Sequence, residues 1–120
     1  MPALNLTWDE ILGQYDWMYS QCVKSEAMMG RWGSFASGML ALIPQIRNLH
    51  DIKDVKKWLS HFCLVMQVPD KEIELVILYY DDSYVIKSYL PGHKVEAETN
   101  AIAEEVVSEI LKQINRMREE

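Results

Sequence analysis

The sequence predicts an α+β fold, in which N-terminal helices precede a three-stranded antiparallel meander and a long C-terminal helix (ααα-βββ-α). Three observations predict it. Apolar residues recur at helical spacing through most of the first 60 positions, residues 61–90 show strand-like apolar segments separated by short turns, and helical spacing returns after residue 96. At 120 residues the chain fits one α+β domain, residues 1–120.

The first helix is predicted to begin at Thr7. Thr7 and Glu10 have the spacing of a capping box, in which each side chain accepts a hydrogen bond from the other residue's backbone N–H. The apolar positions that follow fall on one side of a helix, which indicates a single core-facing stripe. These positions are Trp8, Ile11, Leu12, Tyr15, Met18, Tyr19, Cys22 and Val23.

A second helix is predicted over residues 25–43 and a third after Asp51. The bulky face of the second helix consists of Met28, Trp32, Phe35, Met39, Leu42 and Ile46. Pro44 lacks an N–H and disfavours helical geometry at the residue before it, so we expect a kink or break there. Asp51 has the chemistry of an N-cap, for a third helix that would bury Ile52, Val55 and Leu59.

Three strands are predicted next, in the segments HFCLVMQV (61–68), EIELVILYY (72–80) and YVIKSYL (84–90). The turns PDK (69–71) and DDS (81–83) are short enough to join them as a meander. The segment PG (91–92) is expected to end the sheet, and residues 96–118 to form the last helix. Its predicted buried residues are Ala103, Val106, Val107, Ile110, Ile114 and Met117.

The first two predicted strands are apolar on both faces, whereas an antiparallel sheet with one wet face normally alternates more cleanly. Something must therefore cover both sides of the sheet. Two arrangements satisfy this requirement. The N-terminal helices can cover one face and the C-terminal helix the other, or a second subunit can cover what the helices leave open.

Composition limits the classes of partner. The net charge is −6, and all of the excess lies in residues 61–120, which carry twelve Asp/Glu against six Lys/Arg. Such a surface repels phosphate, so we expect no nucleic-acid partner. No apolar run is long enough to span a bilayer and MPALNLTWDE does not resemble a secretory signal, so we expect a cytoplasmic protein without a membrane partner. Cys22 and Cys63 are predicted to be buried free thiols.

Two groups of residues are candidate contacts for a partner or ligand. Trp17 is predicted to lie opposite the apolar stripe of the first helix, on a polar face that also holds Gly13. A tryptophan there indicates a contact with a partner or ligand, although cover from another part of the chain is the simpler explanation. The second group surrounds a glycine-rich stretch of the second helix and consists of Met29, Gly30, Trp32, Gly33 and Ser37.

The second group has two interpretations. Glycine in a helix costs roughly 1 kcal/mol relative to alanine, so a smooth face made of small residues indicates close approach by another backbone or a bound group. Alternatively, the residues near Gly30 and Gly33 form a loop, and the helix starts at Ser34. The GRWGS segment lacks the preceding strand and the Lys-Ser/Thr ending of a phosphate-binding loop.

Catalytic and metal chemistry is weakly indicated. His61 and Cys63 would share one face of a strand, with His50 or Asp51 as a third ligand, but this spacing matches no zinc motif. A Cys63 nucleophile is disfavoured because an apolar strand opposes thiolate formation. We therefore expect no metal, no cofactor and no catalytic residue.

The leading functional hypothesis is a non-enzymatic interaction or regulatory protein, acting as a homodimer or through another protein. The alternative is a small-molecule binding domain with an apolar pocket lined by methionine, tryptophan and tyrosine, including Trp32 and Met39. An enzyme of unknown class is the third hypothesis.

Overall fold

The computed structural model describes residues 5–92 and 94–119, apart from the side chain of Ala27. The helical elements of its first half are α1 (Trp8–Cys22), the short α2 (Glu26–Met28), a π-helical segment (Met29–Gly33), α3 (Ser34–Ile46) and a 3₁₀ turn (His50–Ile52). Five strands follow: β1 (Lys56–Ser60), β2 (Cys63–Gln67), β3 (Glu74–Tyr80), β4 (Ser83–Leu90) and β5 (Lys94–Ala101). Helix α4 (Val106–Glu119) comes last. The α+β class and the order helices, antiparallel sheet, C-terminal helix are as predicted.

Helix α1 begins as the sequence predicts. The Thr7 hydroxyl accepts a hydrogen bond from the Glu10 N–H at 3.1 Å, and the Thr7 N–H donates to Glu10 Oε1 at 2.9 Å. These reciprocal bonds complete the capping box and satisfy two backbone donors at the helix start. They also explain why the pKa of Glu10 is lowered, chiefly by the bond from the Thr7 backbone N–H.

The second predicted helix is helical throughout, but it is not one regular α-helix. Its first turns pass through the π-helical segment, and α3 starts at Ser34. Because a π turn closes i→i+5 bonds, positions before Ser34 are out of phase with an ideal 3.6-residue period. The predicted inward orientation of Met28 and Trp32 is therefore wrong, since they are 42% and 43% exposed.

The predicted break at Pro44 is also wrong, because α3 continues through it to Ile46. Pro44 lies so close to the helix end that its missing N–H removes one hydrogen bond in the last turn only. In the same turn the Gln45 side chain donates to the Ala41 carbonyl at 3.0 Å.

The sheet has five strands rather than three, in the sequential order β1-β2-β3-β4-β5, and all its pairings are antiparallel. The two unpredicted strands lie at its edges. The predicted third helix is instead the 3₁₀ turn followed by β1, and the first part of the predicted C-terminal helix is β5. The turn at Pro91-Gly92 therefore connects two strands and does not end the sheet, and Gly92 has a φ of 84° there.

Helices α1, α3 and α4 cover one face of the sheet. The inward residues of β2, β3 and β4 share a single apolar core with the buried faces of α1, α3 and α4. On α4 that face consists of Val106, Ile110, Ile114 and Met117, as predicted, whereas Ala103 is exposed. Val65 points to the other side and lies outside this core. The first predicted arrangement, with the C-terminal helix on the opposite face, is therefore wrong.

Among the helices of the described ranges, none is long and apolar enough to cross a membrane. Cys22 and Cys63 are both free thiols, but only Cys22 is buried. Cys63 is half-buried, which corrects the prediction that both would be buried.

Candidate functional site

The side of the sheet opposite the helices, here called the open sheet face, carries an apolar centre. Neighbouring strands place Trp58, Val65 and Val76 in one cross-strand row, and Leu78 and Val85 in the next. Val65 is only 3% exposed although it lies outside the helix-covered core, so its neighbours on this face already bury it. Trp58, Val65, Val76 and Val85 lie outside the core that the helices cover, whereas Leu78 also packs against that core.

Charges flank this apolar centre on both sides. Lys56 is exposed on edge strand β1, and Glu98 on edge strand β5 lies 3.6 Å from Lys87 on β4. The ladder register places Trp58, Val65, Val76, Lys87 and Glu98 in one row across the sheet. An apolar centre with a charged rim is the general anatomy of a protein interface.

A second feature lies at one end of the sheet, where the π-helical segment meets two hairpin turns. We call it the aromatic cleft, and its volume is about 450 Å³. Its lining residues are Gly30, Arg31, Trp32, Ser34, Phe35, His61, Cys63, Leu78, Tyr79, Tyr80, Asp81 and Asp82. Cys63, Leu78 and Tyr80 have the strand parity of the open sheet face, so the two features adjoin.

Arg31 and two aromatic rings form one wall of the cleft. Its guanidinium carbon lies 5.5 Å from the centroid of Trp32 and 5.9 Å from that of Tyr80, within the range of cation–π attraction. Trp32 is 43% exposed and Tyr80 55% exposed. Phe35, which is buried, packs edge-on against Trp32 with ring centroids 6.5 Å apart. The wall therefore offers apolar area and a positive charge together.

The two hairpin turns beside the cleft are strained. His61 and Phe62 between β1 and β2, and Asp81 and Asp82 between β3 and β4, all have φ between 51° and 66°. Two-residue hairpins need left-handed backbone, and glycine or asparagine usually supplies it. Bulky residues pay a conformational cost there, and such strain is concentrated at functional sites. A hydrogen bond from the Tyr15 hydroxyl to the Phe62 carbonyl, 2.6 Å long, holds the first turn.

The surroundings of the Cys63 thiol in the cleft disfavour its reactive thiolate form. Burial raises the pKa of Cys63, a shift that the neighbouring Lys87 only partly opposes. His61 lies in the β1–β2 turn rather than on a strand, contrary to the predicted strand face shared with Cys63. In residues 5–92 and 94–119, no group of three or more His, Cys, Asp or Glu is arranged to hold a metal ion.

The structure brings the second predicted contact group together at this end of the molecule. Gly30 and Trp32 line the aromatic cleft, and Met29, Gly33 and Ser37 line an adjoining shallow groove, which shares Ser34, Tyr79 and Asp82 with the cleft. Of the alternative interpretation, the loop near Gly30 and Gly33 is wrong, because the backbone there is π-helical, whereas α3 does start at Ser34.

The smooth face of α3 has a packing role inside the chain. The Tyr79 ring lies directly against Gly38, and the Tyr84 hydroxyl donates to the Gly38 carbonyl at 2.6 Å. Tyr79 and Tyr84 are cross-strand partners with ring centroids 4.8 Å apart, as expected for a tyrosine-rich hairpin. Gly38 is therefore small so that the sheet tyrosines can reach the helix backbone.

The first predicted group lies elsewhere. Trp17 is 57% exposed, and it borders a shallow surface depression with Leu6, Glu10, Gly13 and Gln14. The predicted polar-face position of Trp17 is thus confirmed, while the two groups do not form one site. Sequence reasoning missed Arg31 and interpreted Asp81 and Asp82 only as turn residues. The Asp81-Asp82 turn lacks glycine and is flanked by tyrosines, and this was the sequence feature that could have indicated a site there.

No protein-family model, no curated protein and no solved structure matches this chain. The chemistry of the open sheet face and of the aromatic cleft is accordingly the basis for the proposals below.

Proposed function

We propose that this is a non-enzymatic interaction protein that self-associates through the open sheet face. The observation that supports it is the apolar centre of that face, where Trp58, Val65, Val76 and Val85 lie outside the core that the helices cover. A five-stranded antiparallel sheet whose helices all pack on one side normally presents a polar opposite side to water. Here the opposite side has the composition of an interface.

Charge favours a second copy as the occupant. A two-fold axis along the central strand β3 would place β1 of one subunit over β5 of the other. This arrangement brings the edge that carries Lys56 towards the edge that carries Glu98, and it does so twice because the interface is isologous. The apolar centres of the two copies then meet around the axis.

The size of the face sets the expected affinity. Five strands at a spacing of about 4.8 Å and five residues at about 3.3 Å each give a footprint of roughly 400 Å² per subunit. That is about half of the roughly 800 Å² per partner of a standard specific interface, so we expect a weak dimer, of micromolar rather than nanomolar affinity.

The test is the mass in solution of the wild-type protein and of Val76→Lys, which places a charge at the centre of the face. Sedimentation velocity should show a wild-type dimer of twice the 14.0 kDa chain mass, and a monomer for the variant. Val23→Lys is the matched control, because Val23 is 55% exposed on the helical layer and the dimer should persist. A wild-type protein that stays monomeric at high micromolar concentration would refute the proposal.

A second candidate function is the binding of a small molecule in the aromatic cleft. It is supported by two half-exposed aromatic rings, an adjacent guanidinium and two strained turns at one cavity. The pocket differs from the one predicted from sequence, since Met39 is fully buried in the core and does not line it.

A further inference from the structure

The charges of the aromatic cleft are not neutralised by one another. Arg31 is positive, Asp81 and Asp82 are negative, and all three line the same cavity. None of the three has an ion pair with another side chain of the described residues, where pairs such as Arg47–Asp9 at 2.8 Å do form. Opposite charges that face one cavity without meeting leave both free for a ligand.

The positive and the negative charges belong to two different backbone elements. Arg31 belongs to the π-helical segment and rests against Trp32 and Tyr80. Asp81 and Asp82 are the two central residues of the β3–β4 turn, with both φ angles in the left-handed region. Since β3 and β4 pair up to Tyr80 and Ser83, the turn has little freedom to move. The cleft therefore presents a positive group on the π-helical segment and a pair of negative groups on the β3–β4 turn.

The floor between the two sites is apolar. It includes Phe35 and Leu78, which pack against the core, and the exposed face of Trp32. A volume of about 450 Å³ is typical of a site for a compact small molecule. A ligand that satisfies every feature has one carboxylate, one ammonium group and an apolar body.

We infer that the aromatic cleft binds a free α-amino acid with a large apolar or aromatic side chain. Arg31 would receive the carboxylate, Asp81 and Asp82 the ammonium group, and Trp32 with Phe35 the side chain. This inference rests on the second candidate function and narrows it to one ligand class. A residue inside a peptide lacks both charges, and a peptide terminus lacks one of them, so the site distinguishes free amino acids from peptides.

The experiment uses three probes, L-phenylalanine, its C-terminal amide, which lacks the carboxylate, and its N-acetyl derivative, which lacks the ammonium group. Binding is followed by NMR on the indole N–H of Trp32, assigned with Trp32→Phe. Phenylalanine should shift this resonance, and removal of either charge should weaken binding about tenfold or more, because each charge-assisted hydrogen bond is lost.

Two variants and a matched control assign the charges. Arg31→Gln should bind phenylalanine and its amide equally, and the double variant Asp81→Asn/Asp82→Asn should bind phenylalanine and its N-acetyl derivative equally. The matched control is the double variant Glu104→Gln/Glu105→Gln. Glu104 and Glu105 are two consecutive, exposed acidic residues outside the cleft, so this variant should leave all three affinities unchanged.

The outcomes separate the two levels of the proposal. If the amide or the N-acetyl derivative binds the wild-type protein as tightly as phenylalanine, the amino-acid inference is overturned while a small-molecule cleft stands. If no probe moves the Trp32 resonance, the amino-acid inference is overturned, and the second candidate function falls only if a library of small molecules of other classes also leaves this resonance unmoved. Self-association is measured separately by mass, so neither result bears on it.

Discussion

Replacing Gly38 by alanine tests the close contact between α3 and the sheet tyrosines. An added Cβ would lie less than 3 Å from three atoms of the Tyr79 side chain, with the Tyr79 Cβ at 2.8 Å. Because the ring is attached to a paired strand, it cannot retreat without moving β3 or rotating away from Tyr84. The Tyr84 hydroxyl would then lose its 2.6 Å hydrogen bond to the Gly38 carbonyl.

The expected magnitude follows from three contributions. Overpacking costs about 1–3 kcal/mol, and the lost hydrogen bond about 1 kcal/mol. Alanine regains about 1 kcal/mol of helix propensity over glycine. Gly38→Ala should therefore destabilise the protein by about 1–3 kcal/mol.

The matched control is Gly13→Ala, because an added Cβ at Gly13 would meet nothing within 4 Å. The same chemical change should there stabilise the protein by about 0.5–1 kcal/mol. Urea denaturation followed by far-UV circular dichroism measures both, with the midpoint of Gly38→Ala lowered by about 1 M at an unchanged slope. If Gly38→Ala is as stable as the wild-type protein, the tyrosine contact does not limit this position and the reasoning is wrong.

Two further stability predictions follow. The Ser88 hydroxyl is buried and has no hydrogen-bond partner among the described residues, so Ser88→Ala should raise the free energy of unfolding by about 1 kcal/mol in urea denaturation; a loss of stability would reveal a partner. Burial raises the pKa of Tyr15 above the ordinary range, with a smaller contribution from Cys63. Tyr15 therefore keeps its proton in the folded state when the unfolded state loses its own, and stability should fall as pH rises above about 10. Tyr15→Phe should show a shallower alkaline decline, and an unchanged slope would contradict this origin.

The sequence could predict those parts of the fold whose signal is local. The capping box at Thr7 and the apolar stripe of α1 are complete within one helix, and short turns separate the strand-like segments that form β2, β3 and β4. The sequence did not predict the edge strands β1 and β5. The segment of β5, KVEAETNA (94–101), is rich in residues that favour helices and forms a strand by pairing with β4. The spacing of Ile52, Val55 and Leu59 is helical by coincidence, since the chain turns at Lys53 and then becomes a strand.

The candidate site was predictable in part for a similar reason. Glycines beside Trp32 indicated an unusual helix segment, and the structure places a π-helical turn there. The contribution of Tyr80, Asp81 and Asp82 depends on which hairpin tip lies opposite that segment, and this is a property of the tertiary fold. Arg31 carried no signal of its own, because a single exposed arginine is common in any sequence.

The sequential order of the strands has a consequence for how the chain folds. Each strand pairs only with its neighbours in the sequence, through turns of a few residues, so the sheet can grow by adding one hairpin after another. Short loops close at little entropic cost, and such local topologies fold faster than sheets that need distant strands to meet. The slower step is then the docking of α1, whose Tyr15 reaches Phe62 from 47 positions away. Refolding experiments should find the β3–β4 hairpin formed before α1 is protected from hydrogen exchange.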